Sequence, residues 1–290
     1  MFIKQNYLVF FFSLLFLSCS KNNSSFDNNE IPSLTQGKIK KTEEIRNNVI
    51  VKTSEFTYND YGNISKLLIN DGTKIYETIF NYNSGNLMVS WNLKEYYIGN
   101  LDNKTEQLNT LNYINGKIDN ICIDRSYYPY LNSVAFRSSD RIKFNYTSSI
   151  LPISIVHYYP YDVSPGNSFS CSDVLYISNT ETFTYLNENT IRYESGQNLL
   201  SNNYNIFEYD AKKHYQSNIK PDVFKNSLGY STKNNIVKAY VYNSSNVLQG
   251  ISNYDNTYNI NDFPVKTIEK YYPVGSINPT NTYQTNYYYY

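Results

Sequence analysis

The stretch Phe56-Thr57-Tyr58-Asn59-Asp60-Tyr61-Gly62-Asn63-Ile64-Ser65-Lys66-Leu67 decides how the rest of the chain is read. Phe56 and Tyr58 stand at alternate positions, as on one face of a half-buried strand, and Ile64, Lys66 and Leu67 begin a second strand. The Asn/Asp/Gly cluster between them supplies the positive backbone angles that a hairpin turn requires. Strand, turn and strand together predict a β-hairpin.

The same unit recurs. An apolar or aromatic residue two before a tyrosine is found at Phe56/Tyr58, Phe80/Tyr82, Leu111/Tyr113, Phe144/Tyr146, Phe183/Tyr185, Phe207/Tyr209 and Tyr240/Tyr242. Tyr82 is followed by Asn83-Ser84-Gly85-Asn86-Leu87, and Tyr113 by Ile114-Asn115-Gly116-Lys117-Ile118, both read as a turn one residue shorter than the first. Turn chemistry that keeps register with strand chemistry is a consistent local signal rather than a product of composition. Spacing between the tyrosines is too irregular for a strict solenoid. The expectation is therefore an all-β fold, an antiparallel meander of hairpins forming a strongly curved sheet or open barrel over residues 38–290, with a split into two sheets near residue 170 as the alternative.

Composition agrees with pleated surfaces. The 290 residues include 33 Tyr and 15 Phe against one Trp, and tyrosine suits a surface with one dry and one wet side. Lys plus Arg and Asp plus Glu both number 25, so the net charge is zero and gives no electrostatic reason to expect nucleic acid or an anionic membrane face as partner.

At the N-terminus, Lys4 precedes an apolar run from Leu8 to Leu17, interrupted by Ser13 and followed by Ser18 and Cys19. So short an apolar run cannot cross a bilayer core of about 30 Å as a helix, and residues 1–18 read as a signal peptide. Phe16-Leu17-Ser18-Cys19 resembles the lipobox of bacterial lipoproteins, with Phe where Leu, Val or Ile is usual. That resemblance implies diacylglycerol on the Cys19 sulfur, and two or three acyl chains, at roughly 0.8 kcal/mol per buried methylene, make a lasting anchor. Residues 19–37 are polar and aperiodic, a flexible tether after the lipidated cysteine. Cys19-Ser20-Lys21-Asn22-Asn23 looks like the start of many Bacteroidetes lipoproteins. Asn occupies the positions where an acidic export cluster would stand, so an outer-membrane location is implied with either a periplasmic or a surface face.

The Tyr-turn-strand units resemble the YD repeats of RHS-type bacterial surface proteins, the dipeptide itself occurring at Tyr209-Asp210. Residues 50–290, notably Phe207 to Lys213, Asn226 to Tyr230 and Tyr258 to Lys266, resemble uncharacterised Bacteroidetes lipoproteins built on a domain of unknown function. This implies an envelope protein with an all-β fold and carries over no catalytic residue.

Two segments interrupt the pattern. Residues 212–225 read as a long loop or a single helical turn. Residues 158–172 hold Pro160, Pro165 and Gly166, and long loops are often functional, so Tyr158, Tyr159 and Tyr161 are the candidate binding loop, with a plain surface excursion as the alternative. Once Cys19 carries lipid, Cys122 and Cys171 remain, either as a disulfide closing a loop of about 50 residues or as two buried thiols.

No catalytic constellation emerges. His157 and His214 both read as loop residues, no G-x-S-x-G is present, and the 11 glycines sit singly, without a P-loop or dinucleotide motif. Neither Cys122 nor Cys171 has a second ligand nearby at zinc-site spacing, so neither metal nor cofactor is expected. Glu55, Glu77 and Glu208 are expected on solvated outward faces. The sequence supports a binding module for glycan or peptide, using outward tyrosines, or an assembly partner of an outer-membrane complex that pairs through an exposed sheet edge; an enzyme is a third option.

Overall fold

The computed structural model describes residues 37–128, 136–147, 151–160, 171, 175–196, 203–220 and 232–290. The expected signal peptide, Cys19, nearly all of the expected tether and Tyr161 lie outside the described residues.

The described chain is a meander of strands: β1 (Ile39–Arg46), β2 (Val49–Tyr58), β3 (Ile64–Asn70), β4 (Lys74–Tyr82), β5 (Met88–Tyr97), β6 (Asn100–Ile114), β7 (Lys117–Tyr128), β8 (Phe136–Tyr146), β9 (Pro152–Pro160), β10 (Leu175–Leu186), β11 (Asn189–Gly196), β12 (Asn203–Lys213), β13 (Asn234–Tyr242), β14 (Leu248–Tyr258), β15 (Pro264–Pro273) and β16 (Asn281–Tyr289). Each is antiparallel to its predecessor, and β16 returns to β1, Thr42 facing Tyr287 and Ile45 facing Gln284. The barrel is closed rather than open, and it is one sheet rather than two. A twisted sheet this wide would otherwise present two unpaired edges, and closure removes both.

The founding stretch forms β2, a turn and β3. Asn59 is the residue that makes the turn: its Oδ1 accepts the N–H groups of Tyr61 and Asn63 (3.1 and 3.0 Å), while Gly62 takes the left-handed angle, φ 74°. The turn after Tyr82 is the same length, not shorter, because Asn83 accepts from Gly85 and Leu87 at 3.0 Å each and Asn86, not Gly85, holds positive φ (59°). Tyr242-Asn243 and Tyr258-Asn259 repeat it, with Asn246 and Asp262 in the left-handed position. An asparagine carboxamide that gathers two N–H groups mimics a backbone turn, and a short polar side chain tolerates positive φ, so glycine is dispensable. After Tyr113 the turn is instead the two-residue Asn115-Gly116, both at positive φ.

The apolar residue and tyrosine of each unit face the lumen. Phe56, Phe80, Leu111, Phe144 and Phe183 are buried in one cluster with Ile39, Ile64 and Met88. The tyrosine two residues on reaches across to a backbone carbonyl near the start of the strand before it. Tyr58 donates to Ile39 O (2.9 Å), Tyr82 to Ile64 O (2.5 Å), Tyr113 to Met88 O (2.7 Å), Tyr185 to Pro152 O (2.8 Å) and Tyr289 to Pro264 O (2.8 Å). Tyr240 and Tyr242 depart from this: their cross-strand partners place them on the outer face, at the opposite rim, where Tyr242 stacks on Tyr204 at 4.8 Å. Tyr258, at the end of β14, is the copy in phase with the others.

Call the rim where even-numbered strands finish the first rim. Residues 214–220 cross it: Ile219 is fully buried in the core cluster, Tyr215 packs on Tyr287 at 5.0 Å, and the Ile64 N–H donates to Lys220 O at 2.8 Å. Residues 212 and 213 belong to β12, so the expected loop begins at His214, and its residues from 221 lie outside the described set. Toward the second rim the inward side chains turn polar. Lys52 donates to Glu44 (3.0 Å), Lys74 pairs with Glu95, Arg125 with Asp140, and His157 Nε2 with Glu181 Oε1 (2.8 Å). A barrel of this strand number is too wide for side chains alone to fill, so the apolar material gathers at one end. Removing one member of these lumen pairs strands a buried charge, which favours a single register. His157 is thus a strand residue facing the lumen, not a loop residue.

Candidate functional site: a polar groove on the outer wall

On the outer wall a groove of about 570 Å³ crosses β5 to β8. Its floor follows from register. Asn92, Leu108, Asp124 and Ser139 face one another in turn across the four strands, and Lys94, Glu106 and Ser126 form the next row. Their in-strand neighbours point to the lumen, since successive side chains alternate between faces.

Two further rows frame the floor. Toward the second rim, Tyr96 faces Lys104 and Lys104 faces Tyr128, and the Lys104 ammonium lies 4.9 Å from the Tyr128 ring centroid. Toward the first rim, Thr110, Cys122, Arg141 and Tyr158 form a continuous outer row. Cys122 is joined to Cys171 by a disulfide, with Cα atoms 5.5 Å apart. Arg141 stacks over Tyr158 (4.8 Å) and its Nη1 donates to Cys171 O at 3.4 Å. The disulfide thus fixes Cys171 against the edge of the groove.

Charges on the floor are unequal. Lys104 (3.0 Å) and Lys94 (3.6 Å) both contact Glu106. Burial opposes ionisation of Glu106, but the hydrogen bonds and charges of the two lysines outweigh it and hold the carboxyl below its usual range. Asp124 accepts a hydrogen bond from Ser139 Oγ. Leu108 is 41% exposed, an apolar spot among amide, hydroxyl and carboxylate groups. Above it, Tyr96 donates to Glu77 Oε2 (3.0 Å), and burial together with that carboxylate pushes its phenol up to about 12. The set can hydrogen-bond a polyhydroxylated molecule in both directions and offers it one apolar contact and two ring neighbours. Among the described residues no group of His, Cys, Asp and Glu could hold a metal ion.

The expected binding loop divides. Tyr158 and Tyr159 are strand residues of β9, not loop residues, and alternation puts them on opposite faces. Tyr158 joins the row bordering the groove, whereas Tyr159 lies against Tyr176 (6.3 Å) with burial and Asp140 raising its phenol above the usual value. Proline at 160 ends the strand instead of opening a loop two residues earlier. Glu77 and Glu208 lie on the outer face, bonded to Tyr96 and Tyr240, and Glu55 is exposed there. The floor residues Asn92, Lys94, Glu106, Leu108, Asp124 and Ser139 carry no motif; only their alternation with lumen residues such as Leu93, Gln107 and Arg125 marked them as outward.

The chain matches no protein-family model and no curated protein. Among solved structures it is similar to a porin-like protein from Bacteroides uniformis ATCC 8492, at 12% identity and a TM-score of 0.40, over 90% of this chain and 100% of that one. A porin-like protein from Bacteroides vulgatus ATCC 8482 is similar at 10% identity and a TM-score of 0.39, over 87% of this chain and 98% of that one. Similarity this distant assigns no function.

Proposed function

We propose that this protein is a non-enzymatic lipoprotein of the bacterial outer membrane, anchored through Cys19, whose barrel binds glycan in the outer groove of β5 to β8. The groove carries the proposal: an amide, two carboxylates, two hydroxyls and an exposed leucine on one rigid floor, with tyrosines along one side. Peptide capture by strand addition finds no support, since every strand of the closed barrel is paired on both sides. The same closure removes the exposed sheet edge that the assembly reading requires.

The outer wall also favours a barrel held beside the bilayer over one inserted in it. Glu77, Lys94 and Glu106 face outward in one row across β4, β5 and β6, and Lys66 pairs with Glu77 at 2.5 Å. A lysine facing lipid near the midplane of a β-barrel costs about 2–4 kcal/mol. The acyl anchor supplies membrane attachment without that cost.

Calorimetry of the full mature chain against hits from a glycan array tests the reading. Asp124→Asn and Asn92→Ala should each weaken binding at least tenfold, and Glu208→Gln, on a different part of the outer wall, should leave it unchanged. A blank array, saturable binding to peptides alone, or equal loss in all three variants would overturn it.

A further inference from the structure

We infer that the first rim of the barrel is a membrane-contact surface, which seats the molecule upright on anionic phospholipid headgroups. The inference rests on the acyl anchor proposed above and adds an orientation and a lipid class to it. Three observations converge on this rim.

The first is where the chain leaves. Gly37, the residue that follows the stretch from Cys19, is fixed at the first rim: its N–H donates to Tyr290 O (3.2 Å), and its carbonyl accepts from Asn218 Nδ2 (3.3 Å). Under the proposed anchor the chain therefore enters the barrel at this rim. The second is apolar exposure at the tips. Tyr61 is 69% exposed, Leu87 41%, Ile114 58%, Leu186 59% and Ile260 97%, and each belongs to, or adjoins, a turn of the first rim. They come from junctions spread around the circumference, which suits a flat interface better than a pocketed partner.

The third observation is charge. The opposite rim also shows apolar tips, Val247, Val274 and Ile277, so apolarity alone chooses neither end. Exposed cations stand at both rims, Arg46 over the Tyr283 ring (4.4 Å) at the opposite one, and the first rim carries two lysines of this kind. Lys40 is exposed and lies over the Tyr290 ring (5.3 Å), and Lys213 is exposed over the Phe263 ring (5.1 Å), its Nζ donating to Asn261 O (3.2 Å). Lys38 is buried and donates to Gly62 O. The contacts of Lys40 and Lys213 are rings and a carbonyl, so the positive charge of these two exposed lysines is left to meet an external anion. Lys212 and Lys233, by contrast, are balanced by Asp262 and Glu188. Lysines are drawn to an anionic leaflet, and exposed apolar tips reach the boundary between headgroups and acyl chains.

The test uses the mature acylated chain in vesicles of phosphatidylethanolamine and phosphatidylglycerol that contain a nitroxide lipid. Single variants Leu87→Cys, Ile260→Cys and Ile277→Cys are labelled with a fluorophore, native thiols being acylated at Cys19 and bonded at Cys122 and Cys171. Fluorescence from positions 87 and 260 should fall at least twofold and that from 277 should not, and Lys40→Glu with Lys213→Glu should restore half the signal or more. Equal quenching at both rims, quenching at 277 alone, or none at any position overturns the inference. Mass analysis of the N-terminal peptide separates this outcome from failure of the anchor itself. If Cys19 proves unmodified, the Cys19→Ser chain should still float with the same vesicles in low salt and lose at least half of that binding with the two lysine replacements. No flotation there overturns the inference equally.

Discussion

Gly250 shows how closely single side chains are fitted inside the barrel. It is buried on β14, and a Cβ built there would lie 2.5 Å from Cζ and 2.6 Å from Cε2 of Tyr271, whose ring lies across it from β15. A glycine covered by a neighbouring aromatic is a known way to keep a strand that would otherwise lack packing. Gly250→Ala should destabilise by about 1–3 kcal/mol through overpacking. Differential scanning calorimetry should record the fall in Tm and its partial recovery in the double variant with Tyr271→Ala. An unchanged Tm in the single variant would show that the ring moves aside freely. The tyrosine hydroxyls act at the same scale: each satisfies a carbonyl at the head of a strand where the ladder ends, and a hydrogen bond of this kind contributes about 0.5–1.5 kcal/mol.

At the scale of elements, the cross-link between β7 and the β9–β10 connection joins residues 49 apart in sequence. Closing a loop of this length stabilises by about 4 kcal/mol on the chain-entropy model. Replacing both cysteines by serine should lower Tm by about 10 °C, given the usual relation between stability and Tm for chains of this size. The same variant frees Cys171 beside the groove, so the proposed glycan binding should weaken as well. A thermal transition at the parental temperature would show that the cross-link adds nothing to stability.

For the whole molecule, the tyrosine array sets the alkaline limit of stability. Burial raises the phenols of Tyr113, Tyr146 and Tyr287 to about 12, and carries Tyr58, Tyr82, Tyr185 and Tyr289 higher still. In the unfolded chain these groups ionise near their ordinary value of about 10. A group whose folded pKa is raised contributes stability that is complete below the unfolded value and is lost as pH climbs toward the folded one. The barrel should hold constant stability up to about pH 10 and lose it steeply between about 10 and 12. Absorbance at 295 nm and circular dichroism, followed together, should show tyrosinate appearing in a late, cooperative step that coincides with loss of strand signal. Gradual ionisation centred on 10 with the strand signal intact would refute this.

Much of the architecture was legible along the chain because hairpins are local. Phe56/Tyr58 with Asn59 and Gly62 specify two strands and their turn by short-range sterics and hydrogen bonds, and the later copies specify the meander. Three things needed the tertiary structure. Closure depends on β1 meeting β16 from opposite ends of the chain, a pairing decided by accumulated twist rather than by any local pattern. The strap at 214–220 gives no periodic signal, and only the apolar end of the lumen explains why Ile219 is buried. The groove brings Asn92, Leu108, Asp124 and Ser139 together through the register of four strands, and register is set by the sum of many turns and bulges, so no single stretch of sequence contains it.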